Sequence, residues 1–152
     1  MGCDCETYLV KRDTVHNFDY EHWFTKEPNF PEVNGVEAQQ QAPYLGDGRV
    51  LWRLFDYCKL DKLRQEQEDA WCVVEVNLDN IDILCASCKE LAMLCIDIET
   101  EEAFNAADLR DRIGYFLSDW GKRFYDMYGL LVYAKRNLQE HAGYSCVALI
   151  YF

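Results

Sequence analysis

The chain has 152 residues, half of them hydrophobic and 28 % charged, with 27 acidic against 15 basic side chains and a formal charge of −12. That length suits one domain able to bury a sizeable core, and the apolar content excludes a chain disordered throughout. No stretch approaches the roughly 18 apolar residues of a membrane-spanning helix, and the first residues lack the basic-then-apolar order of a secretory signal, so the expected address is the cytoplasm.

From Cys3 to Arg12 the sequence alternates, with Tyr8 and Val10 on one face and Cys3, Cys5, Thr7 and Leu9 on the other. This predicts a first strand. An aromatic stretch at about 14–48 follows, carrying all three prolines, and it reads as a long irregular loop. At Arg49 the period becomes helical: Leu51, Leu54, Phe55 and Cys58 share a face, Leu63 extends the row, and a helix to about Glu68 is expected.

"WCVVEVNL" alternates again, setting Cys72, Val74, Val76 and Leu78 against Trp71, Val73, Glu75 and Asn77. A second strand is predicted there. The next helix is expected to begin at Asp79 as N-cap, with Asp82 in its first turn and a buried row of Ile81, Leu84, Cys85, Cys88, Leu91, Ala92 and Cys95. After the acidic connection "IDIETEEAF", Asn105 and Asp108 signal another start. Leu109, Ile113, Phe116, Leu117, Trp120, Phe124, Met127 and Tyr128 form the stripe of a third helix, with Asp119 and Arg123 paired on its wet side.

Gly129 is expected to stop that helix, after which "LLVYAKR" and "YSCVALIYF" read as a hairpin. Leu131, Ala134 and Leu138 also keep helical spacing, so a helix continuing through Leu138 is the alternative. The last segment is apolar on both faces, as a central strand would be. The order β-α-β-α-α-β-β predicts a single α+β domain: a mostly antiparallel four-stranded sheet with about three helices mainly on one face.

Several constellations invite a chemical reading. Cys3 and Cys5 with His16 and His22 offer two thiolates and two imidazoles for zinc, and Cys85 with Cys88 can replace the histidines. Two cysteines on one face of a strand also pack as small hydrophobes, which is the favoured reading. "CASCK" resembles the Cys-x-x-Cys-Lys of thioredoxin-like oxidoreductases. The resemblance implies a cysteine at a helix N-terminus facing a later cis-proline, yet no proline follows Pro43, and Cys85 and Cys88 are expected in mid-helix. "MGC" resembles the start of lipidated proteins, with Glu6 where Ser or Thr belongs. No phosphate-binding glycine loop, nucleophile elbow or H-E-x-x-H occurs, and a non-enzymatic role is expected with no cofactor.

Charge placement is the most informative feature. Residues 65–108 hold twelve acids against one base, Lys89, so eleven of the twelve net negative charges fall there. Concentrated self-repulsion of this kind suits a partner with a basic surface, such as one built to hold nucleic-acid phosphates. The candidate carboxylates are Glu75, Asp79, Asp82, Asp97, Glu99, Glu101, Glu102 and Asp108, with Trp23, Phe24 and Tyr44 of the long loop as aromatic anchors. Dispersed basic residues argue against direct nucleic-acid binding. The opening "MGCD" resembles that of a loose group of short phage and prophage proteins, in which isoleucine and histidine often follow where Cys5 and Glu6 stand here. The resemblance implies a phage or mobile-element source and, by analogy, an inhibitor that occupies the nucleic-acid-binding surface of a host defence protein.

Overall fold

The computed structural model describes residues 5–20, 41–65 and 71–151. Cys3, His22, Trp23 and Phe24 lie outside them. Four antiparallel strands form one sheet in the order β1-β4-β3-β2: β1 is Cys5–Lys11, β2 Arg64–Gln65, β3 Trp71–Val76 and β4 Tyr144–Tyr151. β4 is the central strand expected from its two apolar faces. It pairs Ile150 with Cys5 of β1 on one side and with Cys72 of β3 on the other.

Alternation assigns the faces as the sequence suggested. Cys5, Leu9, Cys72, Val74 and Val76 point into the main core, beneath α1 (Gly48–Tyr57), α2 (Ile81–Cys95) and α5 (Trp120–Glu140). Two short helices, α3 (Glu101–Ala106) and α4 (Leu109–Ile113), lie between α2 and α5. Tyr8, Val10, Trp71 and Val73 occupy the opposite face with Val147 and Leu149. That face is covered locally: a 3-10 turn over Arg12–Asn17 folds Val15 and Tyr20 onto it, with Phe18 and Leu63 alongside. The Tyr20 hydroxyl donates to the Val15 carbonyl at 2.5 Å, and burial together with the Glu75 charge raises its pKa.

Four local expectations need correction. The helix beginning near Arg49 ends at Tyr57 and not near Glu68, because Lys59 adopts φ 55° while the Leu60 N–H reaches back to the Phe55 carbonyl, a left-handed cap. The chain then reverses, and Arg64–Gln65 supplies the fourth strand opposite Val73 and Cys72. The helix expected to start at Asp79 begins one step later, since Asn80 is its N-cap. Asn77 Oδ1 accepts the Asp79 and Asn80 N–H groups, freeing the Asp79 side chain to pair with Arg12.

The helix expected from Asn105 to Tyr128 is three helices. Asp108 at φ 56° separates α3 from α4, and Gly114 at φ 108° ends α4 where a Cβ would sit 3.0 Å from the Arg53 guanidinium. Finally, "LLVYAKR" is helical and no hairpin forms there, since α5 runs unbroken through Gly129 to Glu140. Burial of Leu131, Ala134 and Leu138 on the row already set by Phe124 and Met127 outweighs the weak helix preference of glycine and the β-branched and aromatic residues.

Two contacts fix the helical layer. Gly121 lies where α5 meets the end of α2, and a Cβ there would come within 2.9 Å of the Cys95 carbonyl oxygen. Arg123 joins the starts of two helices: Nη1 donates to Asp47 at 2.6 Å and Nε to Asp119, the N-cap of α5, at 2.9 Å, while the other Asp47 oxygen caps α1 at the Arg49 and Val50 N–H groups. Hydrogen bonding from Arg123, its largest perturbation, holds the Asp119 carboxyl below the usual range.

Gly121→Ala should destabilise the fold by about 1–3 kcal/mol through forced separation of two backbones. Gly129→Ala, whose Cβ meets nothing within 4 Å, should stabilise the isolated chain by about 0.5–1 kcal/mol. Urea denaturation reads both, and equal effects at the two positions would contradict the packing of α5 on α2.

Arg123→Met should lower stability by about 0.5–1 kcal/mol near neutral pH, the range for half-exposed ion pairs. Because the folded Asp119 pKa is depressed, its contribution is present above the unfolded value of about 3.9 and lost as pH falls through the folded one. Wild type and variant should therefore converge in acid, and a gap that persists at low pH would contradict the Asp119 assignment.

Candidate functional site

The candidate carboxylates separate into two groups at opposite ends of α2, a helix of 15 residues and so roughly 22 Å long. Asp79 and Asp82 sit at its N-terminal end, both exposed and both engaged. Asp79 pairs with Arg12 beyond β1, and Asp82 accepts from Lys135 of α5 at 2.7 Å. Glu75 belongs to neither group. It is half-buried on β3, beneath the face that carries Trp71 and Val73, and accepts the Ser145 hydroxyl at 2.6 Å.

The second group follows the C-terminal end of α2. Asp97, Glu99, Glu101, Glu102 and Asp108 are all exposed. Among the described residues only Glu101 is held by a base, Arg110, at 3.0 Å; Arg110 also donates to Asn105 and lies over the Phe104 ring. The segment carrying these charges is well anchored. Phe104 is fully buried with its ring edge-on to Phe116 at 5.4 Å, Ile98 packs against the core, and the Thr100 hydroxyl accepts the Ala103 N–H as the N-cap of α3.

Among these carboxylates stand large apolar side chains in solvent. Met93 and Ile96 are each 65 % exposed and Leu94 is 39 % exposed, on the last turn of α2 and just beyond it. Their sequence signal was available, since all three fall off the buried row that ends at Cys95, but an exposed apolar residue looks unremarkable in sequence. Tyr44 is 68 % exposed and lines a separate cleft beside Lys122, Asp126 and Leu130 of α5.

The cysteine constellation is not assembled among the described residues. Cys5 is buried on the helical side of β1 and its thiol contacts the Gly46 carbonyl. His16 is exposed on the opposite side of the sheet, beyond the far end of a strand roughly 20 Å long. Among the described residues no three His, Cys, Asp or Glu side chains converge as metal ligands. Cys85 and Cys88 lie in mid-helix as expected. The Cys88 thiol donates to the Phe124 carbonyl at 2.9 Å and burial raises its pKa; burial also raises that of Cys85, with Asp82 adding to the effect. Burial pushes the Cys95 thiol up to about 11.

His16 lines two open clefts of about 270 and 240 Å³, one with Tyr20 and Arg64 and the other with Lys62, Glu75 and Asn80. No hydrogen bond to the His16 ring is made among the described residues, and in the second cleft Glu75 is held by the Ser145 hydroxyl. No helix among the described residues is long and apolar enough to cross a membrane.

Comparison with protein-family models, with curated proteins and with solved structures finds no match.

The thiols of Cys72, Cys88, Cys95 and Cys146 should resist an aromatic disulfide reagent at pH 8 until the chain unfolds, since a thiolate must form to react. Mass mapping of the labelled sites checks this. Rapid native labelling of Cys88 would contradict its buried hydrogen bond.

Proposed function

We propose that this chain is a non-enzymatic acidic protein-binding module, whose contact surface is the carboxylate-rich segment after α2 with its exposed apolar neighbours. The supporting observation is the juxtaposition of Met93, Leu94 and Ile96 with Asp97, Glu99, Glu102 and Asp108 on an anchored stretch of backbone. Carboxylates alone suit solvation. Interleaved with solvent-facing methionine, leucine and isoleucine, they suit a partner that offers cations around an apolar contact.

The partner chemistry is then a basic protein surface, of the kind that otherwise holds nucleic-acid phosphates, which this chain would occupy as a polyanion. Asp79 and Asp82 contribute less in this reading, because Arg12 and Lys135 already neutralise them. Rigid carboxylates give register and fast encounter, while the apolar side chains supply contacts that persist in salt.

The test removes charge without removing shape. The variant Asp97→Asn/Glu99→Gln/Glu102→Gln/Asp108→Asn should keep the wild-type melting temperature to within about 2 °C, since these side chains are exposed and make no ion pair among the described residues. It should lose capture of a basic host protein that the wild-type chain retains at low salt and that short duplex DNA releases. Equal capture by wild type and variant would overturn the proposed surface, and capture indifferent to DNA would overturn the mimicry.

A further inference from the structure

The solvent face of α5 carries an ordered pattern that the fold does not use. Lys122, Asp126, Gly129, Tyr133, Arg136 and Glu140 recur at steps of four and three, forming one stripe opposite the buried row, and all six are exposed. Tyr125 at 71 % and Val132 at 45 % exposure flank the stripe, and Tyr133 within it is 61 % exposed. None of the four charged residues takes part in an ion pair among the described residues.

The order of charge along the stripe is base, acid, glycine, tyrosine, base, acid. Two such helices side by side in parallel would set like charge against like. Reversed about a two-fold axis level with Leu131, they set Lys122 against Glu140, Asp126 against Arg136 and Gly129 against Tyr133, each pair occurring twice. A shift by one heptad in either direction loses both kinds of ion pair. Gly129 is open space within the chain, since a Cβ there would touch nothing, and in this arrangement it receives the ring of Tyr133 from the other copy.

We propose that two copies of this chain associate through this face of α5, antiparallel about that two-fold axis. The contact is isologous, and its charges balance in a chain that is otherwise strongly acidic. The stripe shares no residue with the acidic segment after α2, so this association stands independently of the proposed function.

Sedimentation equilibrium of the full chain at ~100 μM, above the micromolar dissociation constants of modest interfaces, should give twice the chain mass. Asp126→Arg and Arg136→Asp should each weaken the dimer by about tenfold or more, through like charges set face to face. The double reversal Asp126→Arg/Arg136→Asp should restore it. The two positions are ten residues apart on one helix, roughly 15 Å, and cannot compensate each other within a chain. Both sites are exposed, and circular dichroism confirms that each variant is folded. A monomeric wild type overturns the proposal, as does a dimer indifferent to both single reversals. A double variant no tighter than the singles, or a different protein seated on Tyr125 and Tyr133 in place of a second copy, does so as well.

Discussion

The structure depends on β4 being paired on both edges and buried on both faces. Ser145 through Ile150 are inaccessible to solvent, and every residue from Cys146 to Ile150 pairs with both β1 and β3. The strand is therefore the common reference for both cores: Cys146, Ala148 and Ile150 meet the helices, whereas Val147 and Leu149 meet the layer formed by Val15 and Tyr20. A one-residue slip would exchange these sets and place Ser145 on the wrong side of Glu75, so register is specified from two directions at once. Cys5 and Ile150 are distant in sequence, and closing that loop is repaid only when both edges form.

Charge is distributed over this scaffold by pairing, not by sequence position. The middle of the chain reads as one acidic belt, but Arg12 and Lys135 come from the two flanks of the sequence to neutralise two of its members, Asp79 and Asp82. Each such exposed pair contributes little stability. Their consequence is selective: among the described residues Asp97, Glu99, Glu102 and Asp108 after α2 are left without an ion pair, whereas Glu101 is held by Arg110. Arg123 works differently, since it binds the cap of α1 to the start of α5 and so couples two helices that pack on the same sheet face.

Much of this was legible from the residues. Alternation in β1 and β3 reported the two faces of the sheet, the double-sided apolar character of β4 reported its central place, and the buried row of α2 emerged with only Cys85 half-buried, because these signals are local periodicities. What failed was punctuation. Gly129 reads as a stop, but the cost of glycine in a helix is small beside the burial of Leu131, Ala134 and Leu138 one turn and more beyond it. Conversely, nothing in Lys59 announces a left-handed residue, and Gly114 breaks a convincing stripe because the backbone must lie against the Arg53 guanidinium held between Trp52 and Tyr115. The acidic cluster was visible as composition, whereas its division into engaged and free members rests on partners dozens of residues away.

The two glycines of α5 show why such positions resist reading from one dimension. Both lower helix propensity by similar amounts, and both sit within a continuous helix. At Gly121 the return lies inside the chain, as close approach of α5 to the Cys95 carbonyl. At Gly129 no contact among the described residues offsets the loss, the charges of the stripe make no ion pair among those residues, and the rings of Tyr125 and Tyr133 face water. A helix face that combines an open glycine with ring-sized apolar groups and balanced, ordered charge has the makings of an interface without an occupant in the monomer. The antiparallel copy is the occupant whose shape and charge follow from the face itself, because the same six residues supply both sides of it.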